Sequence, residues 1–350
     1  MSEERKRRNP ITVVETDSLS REEWLNYRRQ GIGGSDVAAI LGVSPFRTAR
    51  DIYYDKLGIE AVSDDSNWVA LEMGNLLEDL VGRIFAKKTG LTIFRMKKMF
   101  RFPEHPFMLA DVDFFVVMPD GSIAILEIKT TNYNAKDNWW CNGAETVPIY
   151  YELQGRHYMS VMDVDRVFFC CLYGNTDDEV IIRSITRDYD FEEEMIFLEQ
   201  MFWEENVQKK LPPEYTETAN LIMDSIKKYT GSADETAPIV NFDLGMTSTL
   251  LRYLQVQEEK KKAEKTVKKL DDELQRYKAR LISEMGTSCT ALCEHDGSTF
   301  TVTYNPVRKT GINKDNLEKL KLLHPEIYDE YVTVTEFRKF NVKVQALNAA

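Results

Sequence analysis

The stretch Ile123-Ala124-Ile125-Leu126-Glu127-Ile128-Lys129 constrains this chain more than any other, because it is an apolar run that ends in alternating charge. It reads as a strand, and the period of two sends Glu127 and Lys129 to one face while Ile128 points the other way. Upstream, Phe107 to Met118 is a second apolar stretch, and Pro119-Asp120-Gly121-Ser122 is turn chemistry that folds it back as an antiparallel hairpin. Pairing across that turn sets Asp113 roughly opposite Glu127. Two carboxylates on rigid strands make a hard-oxygen site for Mg²⁺ or Mn²⁺, and an adjacent ammonium can orient or help deprotonate an attacking water. Phosphodiester hydrolysis needs those parts. The same acid-x-Lys form also occurs at Glu4-Arg5-Lys6 and Glu258-Glu259-Lys260, inside runs of charge, so an exposed cross-strand salt bridge is the plainer reading of this segment alone.

With 350 residues and 43% hydrophobic content the chain can bury a large core. No apolar run approaches the ~20 residues of a membrane span, and the basic Arg5-Lys6-Arg7-Arg8 segment lacks the apolar stretch of a signal peptide. The five cysteines fit a reducing compartment, with Cys170 and Cys171 inside an apolar run, so a cytoplasmic location is expected. Cys289, Cys293 and His295 lie close together, but their spacing matches no common zinc finger or ribbon. The net charge of -12 argues against a simple nucleic-acid binder. Its distribution leaves room for one, because Arg95, Lys97, Lys98 and Arg101 occur without an acid between Leu91 and Pro103, whereas Asp177 to Glu217 is acidic. A basic lining inside an acidic exterior satisfies both facts, and the alternative for that cluster is a solvated strand face.

Residues 1–19 read as a flexible basic arm. Ser20 with Glu23 forms a capping box for a helix carrying Trp24, Tyr27 and Arg28, and Gly33-Gly34-Ser35-Asp36 opens a second short helix through Leu41. A glycine turn feeding a Ser or Asp N-cap exposes backbone N–H groups, a natural seat for a phosphate that Arg28 and Ser35 could share; an ordinary capped turn is the alternative. A helix from Trp68 to Thr89 is expected to bury Leu76, Leu77, Leu80, Val81, Ile84 and Phe85, with Glu78 on the rim of that stripe. A metal, or an Arg or Lys from a neighbouring element, would satisfy Glu78.

Pro148 opens a helix through Met162 on which Tyr151, Gln154 and Tyr158 share a face. Val164–Tyr173 and Glu179–Thr186 read as paired strands, and Phe191–Lys209 as an amphipathic helix. The expected fold is therefore α/β, a mixed sheet flanked by helices over residues 20–215, followed by a linker over 216–243. Residues 244–350 are expected to form a long helix and a small α+β module. In the long helix Ala263, Val267, Leu270, Leu274, Tyr277 and Leu281 alternate by four and three, a seam that packs on another helix. Over that stretch fewer than three full heptads are clean, which favours cover for the chain's own core over a coiled-coil dimer. Short strands are expected at Thr299–Tyr304 and Val332–Val342, around a helix from Lys314 to Leu323.

The spacing of Trp24, Arg28, the Gly33-Gly34-Ser35-Asp36 turn, Gly74 to Glu78, Asp113, Glu127-Ile128-Lys129 and Gln154 resembles the phage lambda-type exonucleases and YqaJ-type viral recombinases of the PD-(D/E)xK nuclease superfamily. That resemblance covers about residues 20 to 210 and implies a restriction-endonuclease-like core. It implies that Asp113, Glu127 and the backbone carbonyl of Ile128 hold Mg²⁺, or Mn²⁺ in its place, with Glu78 completing the acidic cluster. It makes Lys129 the water-activating amine, Gln154 its neighbour, Tyr158 a support, and Arg28 and Ser35 the grip on a 5′-terminal phosphate. Asp111 departs from the family, which often has a small neutral residue there, and shares a strand face with Asp113, so the two could exchange roles. The resemblance further implies 5′ to 3′ digestion of double-stranded DNA ends, a ring-shaped homotrimer, a single-strand annealing protein as partner, and a phage or prophage origin in a bacterial host.

Two other functions fit the same residues. A restriction-like or structure-specific endonuclease would share the chemistry but cut closed circles, while a non-catalytic DNA-binding or assembly protein would use the acids in salt bridges alone.

Overall fold

Local chemistry places the first elements of the computed structural model, which describes residues 9–62, 68–230, 236–295, 298–306 and 312–332. Ser20 accepts from the Glu23 amide while the Glu23 carboxylate takes the Ser20 N–H, a capping box that starts helix α1 (Arg21–Arg28). Ahead of it, Ile11–Glu15 is strand β1, so the segment expected to be a flexible arm is ordered from residue 11; residues 1–8 lie outside the described residues. Its partner is β4 (Lys98–Arg101), where Glu15 faces Lys98. That pairing spans more than eighty positions, and a five-residue strand gives little local signal of it.

The chain divides into two units, Met1–Ser232 and Ala233–Ala350. In the first, β1, β4, β5 (Met108–Ala110) and the short β2 (Ile32–Gly33) form one sheet in that order. A second sheet runs β11-β10-β7-β6-β3, built from β3 (Thr92–Phe94), β6 (Phe114–Val117), β7 (Ile123–Thr130), β10 (Arg166–Leu172) and β11 (Val180–Thr186). Only β7 and β10 run parallel in it; the neighbouring pairs are antiparallel, which makes the sheet mixed as expected. The hairpin register sets Phe114 opposite Leu126, which carries Asp113 to the level of Glu127.

The apolar run Phe107–Met118 is not one strand. It leaves β5 in the first sheet, bends at residues 111–113 and enters β6 in the second, so hydropathy is continuous where hydrogen bonding is not. Asp111 and Asp113 sit at that crossing. β7 and β10 are buried on both faces and therefore read as near-continuous apolar runs.

Helices pack on these sheets. α2 (Gly34–Ile40) and α3 (Ala49–Lys56) follow α1, and α5 (Ile149–Met162) is buried along its whole length from Leu153 to Met162. Gly34 permits a close approach of α2 to α5, since a Cβ there would stand 2.6 Å from the Tyr158 ring. α4 (Trp68–Thr89) buries Val81, Gly82 and Phe85 against the second sheet. Leu76 and Leu80 are exposed, contrary to the wheel, because only the C-terminal half of this helix lies on the sheet. After β7 come a short 3₁₀ segment and the small ribbon of β8 (Trp140–Cys141) and β9 (Ala144–Glu145). α6 (Tyr189–Met201) continues as a π-helical segment over Phe202–Gln208 that buries Phe202 and Val207.

The expected linker over 216–243 contains α7 (Ala219–Thr230), so it is not simply a tether. Ser225 holds α7 down: its hydroxyl donates to Asp51 at 2.8 Å and accepts from Thr48 at 3.2 Å. α7 is amphipathic, but no local signal in it marks Ser225 as the anchor.

In the second unit α8 (Gly245–Met285) is a single helix of 41 residues, starting well before the expected seam. Strands β12 (Thr290–His295) and β13 (Ser298–Thr303) pair antiparallel, and α9 (Lys314–Leu323) and α10 (Pro325–Tyr331) follow. β12 was not expected, as Thr290-Ala291-Leu292-Cys293-Glu294-His295 carries no clean apolar alternation. The strand expected over 332–342 lies, beyond Val332, outside the described residues. No described helix is long and apolar enough to cross a membrane.

Candidate active site

β7 presents Glu127 and Lys129 side by side on the face that α5 covers, as the strand period requires. Lys129 Nζ donates to Glu127 Oε1 at 2.7 Å and to Gln154 Oε1 at 3.0 Å, while the Gln154 amide nitrogen donates to the same Glu127 oxygen. Gln154 in turn donates to the Tyr158 hydroxyl at 3.4 Å, so both residues foreseen on α5 are in place. Asp113 arrives from the crossing between sheets, and its Oδ2 accepts the Ile128 N–H at 2.8 Å. Three residues of β7, two of α5 and one from the crossing between sheets thus meet.

The other Glu127 oxygen, Oε2, is buried and has no hydrogen-bond partner. An orphan carboxylate oxygen in a residue only 3% exposed is costly unless something cationic completes it. The charges around it agree. Burial, and then the nearby Asp113, push Glu127 up to about 8 despite Lys129. Glu78 is pushed up to about 7 by burial and Asp113, against the pull of Arg95, and burial also raises Asp113. For Lys129, burial works to lower the ammonium, but Glu127 and Asp113 outweigh it and hold it protonated. These acids repel one another across a short gap.

Glu78 stands apart from the pair in one respect. Arg95, stacked 4.1 Å from the Phe114 ring centre, bonds the Glu78 carboxylate, reaches Asp79 at 2.6 Å and donates to the Asp113 carbonyl at 3.3 Å. Among the described residues no three His, Cys, Asp or Glu side chains converge as a ready-made metal cage. Cys289 and Cys293 are exposed free thiols. A site of two carboxylates and a backbone carbonyl suits Mg²⁺, which keeps several waters and leans on substrate phosphates rather than on an all-protein cage. The residues present therefore fit a hard divalent cation at Asp113, Glu127 and the Ile128 carbonyl. Glu78 joins them only if Arg95 releases it.

The basic cluster is not the free positive face that its local sequence suggests. Besides Arg95, Lys97 bonds Asp17 and Lys98 lies 3.2 Å from Glu15, acids brought in by β1 and its following turn. Arg101 is half-buried with its Nε unpartnered. Only Arg95 and Lys97 of the four line the cleft.

Arg28 and Ser35 do come together, with the Arg28 guanidinium donating to Ser35 Oγ at 2.7 Å. The N-cap of α2 is Gly33 rather than Ser35 or Asp36, and Asp36 instead folds back to accept the Gly33 N–H at 3.1 Å. The fully buried Asp36 also binds Arg28 at 2.7 Å and the buried Lys56 ammonium at 2.7 Å. Burial works to raise Asp36, yet Arg28 and Lys56 hold it far below the ordinary carboxylate range. Arg28 is thereby fixed with Asp55 at 3.8 Å on its other side. Asp36 and Lys56 were missed as site residues; the Gly-Gly-Ser-Asp motif carried a signal for the first, and nothing local marked the second.

Asp111 accepts from the Trp24 indole at 2.7 Å, and Trp24 also lies under Arg28, 5.7 Å from ring centre to guanidinium. Trp24, Arg28, Ser35, Glu78, Arg95, Asp111, Asp113, Glu127, Gln154 and Tyr158 all line one cleft of about 480 Å³. A second hollow shares Ser35, Glu78, Asp113, Glu127 and Gln154 with it and adds Lys129, Phe46, Leu71, Tyr150 and Tyr151.

Residues 23–165 match the YqaJ-like viral recombinase domain family. The uncharacterized protein YqaJ of Bacillus subtilis (strain 168) is 28% identical over 334 residues, covering 95% of this chain and 97% of that protein. Among solved structures, an alkaline exonuclease (LHK-Exo) from Laribacter hongkongensis is 17% identical with a TM-score of 0.43, covering 59% of this chain and 98% of that one. A phage-related exonuclease from Haemophilus somnus 129PT is 15% identical with a TM-score of 0.39, covering 53% and 99%.

Proposed function

We propose that this chain, homologous to YqaJ and carrying a YqaJ-like viral recombinase domain over residues 23–165, is a divalent-metal-dependent exonuclease. On this reading it resects double-stranded DNA ends from 5′ to 3′ for recombination. The observation that carries the reading is the buried, unpartnered Glu127 Oε2 beside Asp113, with Lys129 and Gln154 locked onto the opposite oxygen. A structural salt bridge would satisfy both oxygens. Here one is left buried and unpartnered.

Asp113, Glu127 and the Ile128 carbonyl would hold Mg²⁺ or Mn²⁺, with Glu78 as a further ligand. When bound, the ion supplies charge neutralisation at the scissile phosphate and lowers the pKa of the attacking water. The chain's own groups do the rest. Lys129 Nζ, fixed by two acceptors, orients the water with its remaining N–H and stabilises negative charge developing on the phosphoryl oxygens. Gln154 keeps the Glu127 carboxylate in one rotamer, and the buried Tyr158 keeps Gln154. Arg28 and Ser35 bind the 5′-terminal phosphate by charge-assisted hydrogen bonds, on a frame that Asp36 and Lys56 hold rigid.

The alternative of an endonuclease is disfavoured by that fixed arginine, because a subsite for a terminal phosphate rewards ends. Linear duplex carrying either 5′-phosphate or 5′-hydroxyl ends, incubated with Mg²⁺ and followed by strand-specific product release, tests chemistry and end selection together. The expected result is release of 5′ mononucleotides, faster from phosphorylated ends, with closed circles spared. Cleavage of circles, or loss from 3′ ends first, would sink it. An annealing protein that takes the emerging single strand is the partner this activity calls for.

A further inference from the structure

No described residue of the second unit covers the long helix α8 along Val267, Leu270, Leu274 and Leu281, each at least 50% accessible. A helix of 41 residues with an apolar seam in water needs a partner for that seam. The seam is also longer than its clean part suggests. Continued toward the N-terminus, the same 4-3 alternation places Met246, Tyr253, Lys260, Val267, Leu274 and Leu281 at one core position of the heptad. Thr249, Val256, Ala263, Leu270 and Tyr277 fall at the other. The repeat runs unbroken from Met246 to Leu281, with Lys260 its one charged core residue.

We propose that α8 is the docking surface for α8 of a second copy of this chain, the two helices running antiparallel about a twofold axis between Lys261 and Lys262. Charge decides the orientation. A parallel, in-register pair would stack Lys260 on its own copy in the core and set Glu259 against Glu264 across the flank. The antiparallel pair puts Lys260 opposite the small Ala263, Val256 opposite Val267 and Tyr253 opposite Leu270. Its flanks then bring Arg252 of each copy to Glu273 of the other, and no like charges face each other. Sliding one heptad either way sets Arg252 against Arg280, or Glu259 against its own copy. In the single chain Arg252 leans along its own helix to Glu259 at 3.5 Å, within reach of a partner's carboxylate. The interface is isologous, as a closed dimer requires.

The test uses the full chain and measures its mass in solution by sedimentation equilibrium. The wild type is expected to have twice the mass of a Leu270→Glu/Leu274→Glu variant, both positions being exposed in the single chain. Arg252→Glu and Glu273→Arg are each expected to weaken pairing by about tenfold, and the double reversal to restore it. Equal masses for the wild type and the Leu270→Glu/Leu274→Glu variant would overturn the proposal. So would single reversals that leave the association unchanged, or a double reversal no tighter than the singles.

Discussion

A carboxylate with one oxygen bound twice and the other bound by nothing is an uncommon arrangement, and Glu127 sets what single residues can be asked to reveal. Its ionisation, raised to about 8 from an ordinary 4.5, has a definite sign in stability. The folded metal-free protein holds a proton there that the unfolded chain releases above 4.5. The stabilisation is full below 4.5 and is lost as pH rises through about 8. Thermal melts of metal-free protein should show wild type and Glu127→Gln alike near pH 4, with the variant increasingly the more stable toward pH 8. Lys129→Met should lower kcat by about 10² to 10⁴ while leaving Mn²⁺ affinity at or above that of the wild type; a matching collapse of metal binding would make Lys129 structural. Glu127, Lys129 and Gln154 were legible because they fall where strand and helix periods put them, and Asp113 because it follows from the register of the β6–β7 hairpin rather than from a strand face. The neutralising partners of Arg95, Lys97 and Lys98 were not, because those acids come from α4, β1 and the turn after β1, and no local window contains them.

Elements position these residues by close approach. Gly34 lets α2 lie on Tyr158 and Gln154, so Gly34→Ala should cost about 1–3 kcal/mol in urea unfolding and loosen Gln154 from Glu127. An unchanged midpoint would mean that the α2–α5 contact is not tight. Ser225→Ala should cost a similar ~1–3 kcal/mol by leaving the buried Asp51 and Thr48 short of a partner. A simple tether over 216–243 would show no effect. The principal helices and the β6–β7 and β10–β11 hairpins were readable, since amphipathic period, capping chemistry and turn residues are local. The split of Phe107–Met118 between two sheets, the strand β1 and the anchored helix α7 were not. Each depends on a partner that the chain reaches only after long loops close.

At the scale of the molecule, an acidic chain of net charge -12 gathers Asp113, Glu127, Glu78, Arg28 and Ser35 around one cleft of the first unit, while the second carries an exposed helical seam. The change from mixed α/β patterning to a charged 4-3 repeat is legible in the sequence, and the repeat extends beyond Ala263–Leu281. The central claim is that Asp113 and Glu127 trap a hard divalent ion, and calorimetric titration of the metal-free protein with Mn²⁺ at pH 7, in two buffers of different ionisation enthalpy, tests it most directly. Binding should release on the order of one proton per ion, because Glu127 enters the titration protonated, and Glu127→Gln or Asp113→Asn should abolish it. Equal binding in both variants, or no proton released by the wild type, would contradict the account.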